Sequence, residues 1–89
     1  MSIINANGTS VIAEITKSST PVASAGLFKA PSKDGCLLML KSDGLVKYRM
    51  VGNDEGVYDE SYFYKGDISN IRVAEVLVDG TDAEFKFVW

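Results

Sequence analysis

The sequence contains no histidine, a single cysteine and two prolines among its 89 residues. Without histidine the chain lacks the commonest general base, the commonest metal ligand and the usual proton switch near neutral pH. One cysteine cannot form a disulfide within the chain, and Cys36 lies in an apolar run, so we expect a buried, unreactive thiol. These absences disfavour an enzyme, and we predict a non-enzymatic protein with no cofactor and no metal site.

Long hydrophobic runs are also missing. The longest apolar run is Cys36–Leu40, far short of the about 20 residues that a membrane-spanning helix needs. The first residues show neither a basic segment nor a long apolar segment, so we expect no signal peptide and no membrane partner.

The composition is that of one small globular domain, which we assign to residues 1–89. Hydrophobic residues make up 46% and charged residues 24% of the chain, an ordinary balance for a soluble domain. A domain of this size buries only about 60–65% of the surface that its unfolded chain exposes. Association with partners or with further copies can supplement such a modest core, which favours a homo-oligomer.

The residue pattern predicts strands rather than helices. No helical period extends over eleven residues, whereas β-branched and aromatic residues recur in short segments between turn residues. The strands that we expect are Ser10–Thr16, Cys36–Lys41, Leu45–Val51, Val57–Tyr64 and Ile71–Val78. Asp43-Gly44 and Asp79-Gly80 predict hairpin turns. The fold class is therefore all-β, a small antiparallel barrel or sandwich built from hairpins.

The C-terminal segment alternates between charged and apolar residues from Asp82 to Phe87 and ends with Val88 and Trp89. The apolar face carries Ala83, Phe85, Phe87 and Trp89, and the other face carries Glu84 and Lys86. This alternation predicts a strand with one buried face. We expect it to be packed in a sheet or held by a neighbouring molecule.

Lys17–Lys33 differs in composition from the rest, because it is rich in Ser, Ala, Gly, Lys and Pro. Pro21 and Pro31 disfavour helix at the residues before them. We therefore predict an extended N-terminal arm or long loop over residues 17–33, a kind of segment that is often functional. Leu27 and Phe28 are its only sizeable apolar side chains, and with Lys29 they are our candidates for contacts with a partner.

Charge is distributed unevenly along the chain. Residues 1–51 carry six basic and three acidic side chains, whereas residues 52–89 carry three basic and nine acidic ones. The two halves could complement each other between copies or between the arm and an acidic partner. Alternatively, the halves intermingle in the folded domain and the asymmetry disappears.

Two groups of residues invite functional interpretations that the pattern does not support. Asp54, Glu55, Asp59 and Glu60 do not have the spacing of a calcium loop and are interpreted as a solvated charged segment. Tyr58, Tyr62, Phe63 and Tyr64 could stack on bases. Their acidic neighbours would repel phosphate, so we interpret the aromatics as core or subunit interface and expect no nucleic-acid partner.

The whole chain resembles the capsid decoration (cement) proteins of tailed bacteriophages. The resemblance is carried by the Ser/Ala/Pro/Gly-rich segment Lys17–Lys33, the two Asp-Gly turns and the aromatic C-terminal strand. It implies a protein of the virion, assembled in the host cytoplasm, that binds the major capsid protein or another virion protein. Such proteins commonly form trimers that reinforce the junctions between capsid subunits.

On this hypothesis the partner-binding residues are Leu27, Phe28 and Lys29 in the arm, with Phe87 and Trp89 near the C-terminus. Phe87 and Trp89 could instead be plain core residues. A second hypothesis, from a different class, is a small acidic inhibitor that blocks a host enzyme or defence complex. It would display one contiguous acidic face formed from Asp54, Glu55, Asp59, Glu60, Asp79, Asp82 and Glu84.

Overall fold

A computed structural model describes residues 15–89, and this part of the chain is built of β-strands. The strands are β1 (Ser18–Ser19), β2 (Ala23–Ser24), β3 (Leu27–Lys29), β4 (Leu37–Leu40), β5 (Gly44–Met50), β6 (Asp59–Phe63), β7 (Val73–Leu77) and β8 (Phe85–Val88). They form a three-stranded sheet in the order β1-β8-β4 and a five-stranded sheet in the order β2-β3-β7-β5-β6, all neighbours antiparallel. The predicted all-β antiparallel fold is confirmed. The strand predicted at 10–16 falls mainly on residues outside the described range.

The middle strands of the two sheets are β7 and β8. β7 is flanked by β3 and β5, as its apolar residues on both faces predict. β8 lies between β1 and β4, which confirms the predicted C-terminal strand. Beyond β8, the Trp89 carbonyl accepts hydrogen bonds from the amides of Thr16 and Lys17 at 2.9 and 2.7 Å.

The core lies between the two sheets and contains residues from both. Its fully buried side chains are Cys36, Leu38, Val46, Val73, Val76, Phe87 and Val88. Phe85 packs edge to face against Phe28 and against Phe87, with ring centroids 5.6 and 5.3 Å apart. The Cys36 thiol is 0% exposed, and burial raises its pKa, so the prediction of a buried cysteine is confirmed.

Neither Asp-Gly turn closes a hairpin, so that part of the prediction is wrong. β4 and β5 belong to different sheets, and so do β7 and β8. Residues 41–43 and 78–84 therefore carry the chain from one sheet to the other. The reason is that an Asp-Gly pair reverses the chain without specifying which strand will be the neighbour. β4 is apolar at all four positions, three of which are buried, and its partner is β8 rather than β5.

The hairpins that do form are β2–β3 and β5–β6. In the first, Ala25 and Gly26 have φ of 54° and 81°, the two positive values of a type I′ turn. In the second, the strands are joined by the polar segment 51–58.

The segment predicted as an irregular arm, Lys17–Lys33, contains three short strands that pair with the same chain. β1 pairs with β8, and β3 pairs with β7. Pro21 separates β1 from β2, and Pro31 follows β3. Strands of two or three residues are too short to leave an alternating pattern in the sequence, so this structure was not foreseen. Because both sheets combine strands from the two halves of the chain, basic and acidic halves intermingle.

Ser69 closes the side of β4 that does not pair with β8. Its hydroxyl accepts a hydrogen bond from the Leu38 amide at 2.9 Å and donates one to the Ile71 carbonyl at 3.1 Å. Its own amide donates to the Leu38 carbonyl at 2.8 Å. Among the described residues, Ser69 is the buried polar residue. It provides hydrogen-bond partners for backbone groups of Leu38 in place of water.

Replacing Ser69 with alanine should lower the free energy of unfolding by about 1–3 kcal/mol, because the Leu38 amide would lose its acceptor inside the protein. Urea denaturation measures the change. Ser19→Ala is the matched control, since within residues 15–89 the Ser19 hydroxyl donates only to the adjacent Thr20 carbonyl, at 3.4 Å. Equal midpoints for the two variants would contradict the assigned role of Ser69.

Candidate partner-binding groove

A groove of about 440 Å³ lies beside β3, β5 and β7 of the five-stranded sheet. Its lining residues are Leu27, Lys29, Ala30, Ser32, Lys33, Gly35, Arg49, Glu55, Gly56, Tyr58, Ala74 and Glu75. Antiparallel pairing brings these segments together, because Lys29 is opposite Glu75 and Glu75 is opposite Arg49. Side chains of residues directly opposite share one face of a sheet, so Lys29, Glu75 and Arg49 form a charged row across the sheet.

Three side chains of the groove form a hydrogen-bonded network around Glu75. The Tyr58 hydroxyl donates to Glu75 Oε2 at 2.7 Å, and Arg49 Nη2 donates to Glu75 Oε1 at 3.4 Å. Arg49 Nη1 also donates to the Asn53 carbonyl at 2.8 Å. The network ties the loop 51–58 to the centre of the sheet, so one wall of the groove is fixed by side-chain bonds.

The network shifts two ionisation equilibria in opposite directions. The hydrogen bond from Tyr58 lowers the pKa of Glu75, burial opposes this shift, and Arg49 adds to it. The same hydrogen bond raises the pKa of Tyr58, because ionising the phenol would remove the donated proton. At neutral pH Glu75 is therefore a carboxylate and Tyr58 a neutral hydrogen-bond donor.

This network predicts acid sensitivity. A carboxyl group whose pKa is lower in the folded than in the unfolded chain stabilises the fold above its unfolded pKa. The contribution of Glu75 should thus be lost as pH falls from about 5 through its lowered pKa. We expect Glu75→Gln to show a shallower loss of stability over this range than the native chain. Chemical denaturation at a series of pH values measures the free energy of unfolding of both proteins.

Glu84→Gln is the control for that experiment, because Glu84 is exposed and lies in the connection between β7 and β8. Its pH profile should follow that of the native chain. If Glu75→Gln were as acid-sensitive as the native chain, Glu75 would not be the group responsible.

The positive charge of the groove exceeds the negative charge. Lys29, Lys33 and Arg49 carry three positive charges and Glu55 and Glu75 two negative ones. Since Glu75 already forms an ion pair with Arg49, the exposed ammonium groups of Lys29 and Lys33 are the charges most available to a partner. Arg49 Nε is a buried donor without a hydrogen-bond partner among residues 15–89, which therefore leave one donor of the guanidinium unsatisfied.

The five predicted partner-binding residues are placed in three different environments. Leu27 and Lys29 line the groove. Phe28, between them in sequence, points to the opposite face and packs against Phe85. Phe87 is 1% exposed and belongs to the core, as the alternative interpretation of this residue expects. Trp89 is partly buried against the core at the end of the three-stranded sheet, away from the groove residues.

Sequence reasoning did not single out Arg49, Glu75 or Lys33, and it assigned Tyr58 to the core or a subunit interface. One signal was present: Lys47 and Arg49 share the polar face of a predicted strand. Pairing of Arg49 with Glu75 depends on strand order, which the sequence does not reveal. The aromatic segment is divided, since Tyr58 lines the groove, Phe63 packs against the core, and Tyr62 and Tyr64 are exposed.

Other classes of site are not seen among the described residues. Within residues 15–89 no three His, Cys, Asp or Glu side chains are grouped so that they could hold a metal ion. The same part of the chain has no helix of sufficient length and apolarity to cross a membrane. Comparison with models of protein families, with curated proteins and with solved structures found no match to this chain.

Proposed function

We propose that this chain is a non-enzymatic structural protein of a tailed bacteriophage, a capsid decoration protein that binds the major capsid protein across subunit junctions. The observation that carries the proposal is the groove, because it presents Leu27 and Lys29 together on the surface of a sheet. Those residues are two of the five expected from the sequence to contact a partner. The protein would act in the virion, in many copies.

The groove offers complementary chemistry to an extended segment of a partner. Leu27 provides apolar contact, and the ammonium groups of Lys29 and Lys33 pair with acidic side chains. The network of Arg49, Glu75 and Tyr58 keeps the groove wall in place, so little ordering entropy is lost on binding. Each contact can be weak, because attachment of many copies to one capsid surface adds avidity.

The resemblance to decoration proteins favours a homo-trimer. Light scattering at low and high protein concentration measures the native mass. A mass that corresponds to three chains and does not vary with concentration supports the proposal. A stable monomer would require assembly on the capsid itself.

The direct test is co-sedimentation with undecorated capsids of the phage that encodes the chain. The native protein should sediment with the capsids, and Lys29→Ala with Lys33→Ala should reduce binding at least tenfold. Lys41→Ala with Lys65→Ala is the control, since these lysines are exposed but line a different surface depression. Absence of the chain from purified virions, measured by mass spectrometry, would overturn the proposal.

The acidic-inhibitor hypothesis receives less support from the arrangement of carboxylates. Asp54 and Glu55 lie in the loop after β5, whereas the Asp82 carboxylate accepts a hydrogen bond from Leu45 near the start of that strand. Asp43 likewise accepts from the Lys65 amide at 2.7 Å. Acidic residues at both ends of β5, some of them engaged with backbone amides, do not make the single acidic face of a phosphate mimic.

A further inference from the structure

The outer edge of β6 is the longest strand edge without a neighbour in residues 15–89. β6 is the last strand of the five-stranded sheet and pairs on one side only, with β5. The other terminal strands of the described residues are β1 and β2, with two residues each, and β4, with four. The outer side of β4 is already hydrogen-bonded to residues 66–69, whereas β6 has five residues and a free outer side. Proteins commonly protect their edges by keeping edge strands very short, so β6 stands out as an edge that can accept another strand.

The hydrogen-bond directions of β5 show which groups of β6 face outward. The amides of Leu45 and Lys47 donate to Asp82 Oδ1 at 2.7 Å and Thr81 Oγ1 at 2.9 Å, on the side away from β6. In an antiparallel ladder, directions alternate from residue to residue. The alternate residues of β5 therefore bond to Phe63, Ser61 and Asp59, their partners in the register.

The backbone groups of Glu60 and Tyr62 consequently point away from the sheet. No hydrogen bond to either backbone is found within the described residues. The ladder does not continue past β6 at Tyr64, because the Tyr64 amide donates to Asp67 Oδ2 and its carbonyl accepts from the Asp67 amide. The edge therefore offers a short template of two residues with two donors and two acceptors.

The side chains beside this template are suited to cations. Tyr62 and Tyr64 are 54% and 61% exposed and stack edge to face with centroids 5.1 Å apart. Glu60 lies on the same face of β6, two residues before Tyr62, and makes no ion pair among residues 15–89. Tyrosine rings attract Lys and Arg side chains through cation–π interactions, and a carboxylate attracts them by charge.

We propose that the β6 edge binds an extended, basic segment of a partner protein by strand addition. Backbone hydrogen bonds to Glu60 and Tyr62 provide the template. Lys or Arg at alternate positions of the segment face Glu60, Tyr62 and Tyr64. A second copy of this chain fits less well, because pairing β6 with itself places Asp59 and Glu60 of both copies in one interface. This inference is independent of the groove.

A peptide of three Lys-Val repeats with blocked ends is the probe, and amide hydrogen exchange of the full chain is the readout. Binding should slow exchange at Glu60 and Tyr62 at least tenfold. Ser61 and Phe63 should change little, because their amides already bond to β5. This alternating protection distinguishes strand addition from attraction of a basic peptide to an acidic protein.

The control probe has the same sequence with the backbone amide of each lysine methylated. It retains the charge but loses the donors that would face Glu60 and Tyr62, so we expect at least a tenfold loss of affinity. Tyr62→Ser and Glu60→Gln should each weaken binding of the unmethylated probe. Glu84→Gln in the connection before β8, and the groove variant Lys29→Ala with Lys33→Ala, should leave binding unchanged.

Equal binding of the methylated probe, or no protection of Glu60 and Tyr62 at a saturating probe concentration, would overturn the inference. Protection that develops with protein concentration alone would identify a second copy as the occupant and would also overturn it. Because the groove variant is included, failure at β6 can be distinguished from failure of the proposed function.

Discussion

Replacing Phe87 with alanine should lower the free energy of unfolding by about 3–5 kcal/mol, the usual cost of removing a buried aromatic ring. Phe87 lies in β8, the middle strand of its sheet, and its side chain is 1% exposed. Its ring packs edge to face against Phe85 at 5.3 Å. The substitution would leave a cavity between the sheets, where neighbours held by paired strands cannot close the space.

The effect is large relative to total stability, since the free energy of unfolding of a protein domain is only about 5–15 kcal/mol. Urea denaturation followed by circular dichroism is the measurement. Phe87→Leu, which retains most of the apolar volume, should cost less and keep the fold measurable if Phe87→Ala does not fold. An unchanged midpoint for Phe87→Ala would show that the ring is not part of the core.

Trp89→Ala provides the comparison within the same segment. Trp89 packs against the core but remains partly exposed, so its removal should cost less than removal of Phe87. If Trp89→Ala were the more costly change, the packing of the C-terminal strand would differ from the arrangement described.

The C-terminal strand shows what local patterns in this sequence can establish. The alternation of residues 82–87 placed Phe85, Phe87 and Trp89 on one face, and that face packs against the core. The apolar residues on both faces of Ile71–Val78 likewise predicted a central strand, and β7 is central. In both cases the information lies in residues that are close together in the chain, where periodicity and burial are directly related.

Strand neighbours are a different matter, because they depend on the competition between distant segments. Asp43-Gly44 and Asp79-Gly80 looked like hairpin turns, yet both connect the two sheets. The groove has the same dependence: Leu27 and Lys29 were identifiable from their unusual segment, whereas Arg49 and Glu75 meet only through the pairing of β5 with β7. The spacing of residues along the sequence does not predict that pairing.

Gly44 is required by the way the chain changes sheets. It begins β5 with φ of 156°, a backbone conformation that residues other than glycine rarely adopt. A Cβ atom there would collide with Asp82 Oδ1 and lie 3.0 Å from both Ala83 Cα and Ala83 Cβ. Asp82 cannot simply move away, because its Oδ1 accepts the Leu45 amide hydrogen bond at 2.7 Å.

Gly44→Ala should therefore lower the free energy of unfolding by about 2–6 kcal/mol, from about 1–3 kcal/mol of backbone strain and about 1–3 kcal/mol of overpacking. The two chain crossings between the sheets meet at this contact, so relief requires moving the connection before β8. Urea denaturation followed by the fluorescence of Trp89, the single tryptophan, measures both stability and the environment of the C-terminal strand.

Gly56→Ala separates strain from contact. Gly56 has φ of 84°, but a Cβ there would meet nothing within 4 Å, so only strain of about 1–2 kcal/mol is expected. The excess cost of Gly44→Ala over Gly56→Ala then measures the contact with Asp82 and Ala83 together with the difference in backbone strain between the two sites. If the two variants were equally stable, the close approach of the crossings would not be a determinant of the fold. If Gly44→Ala were soluble only as an unfolded chain while Gly56→Ala folded, the contact would account for the difference.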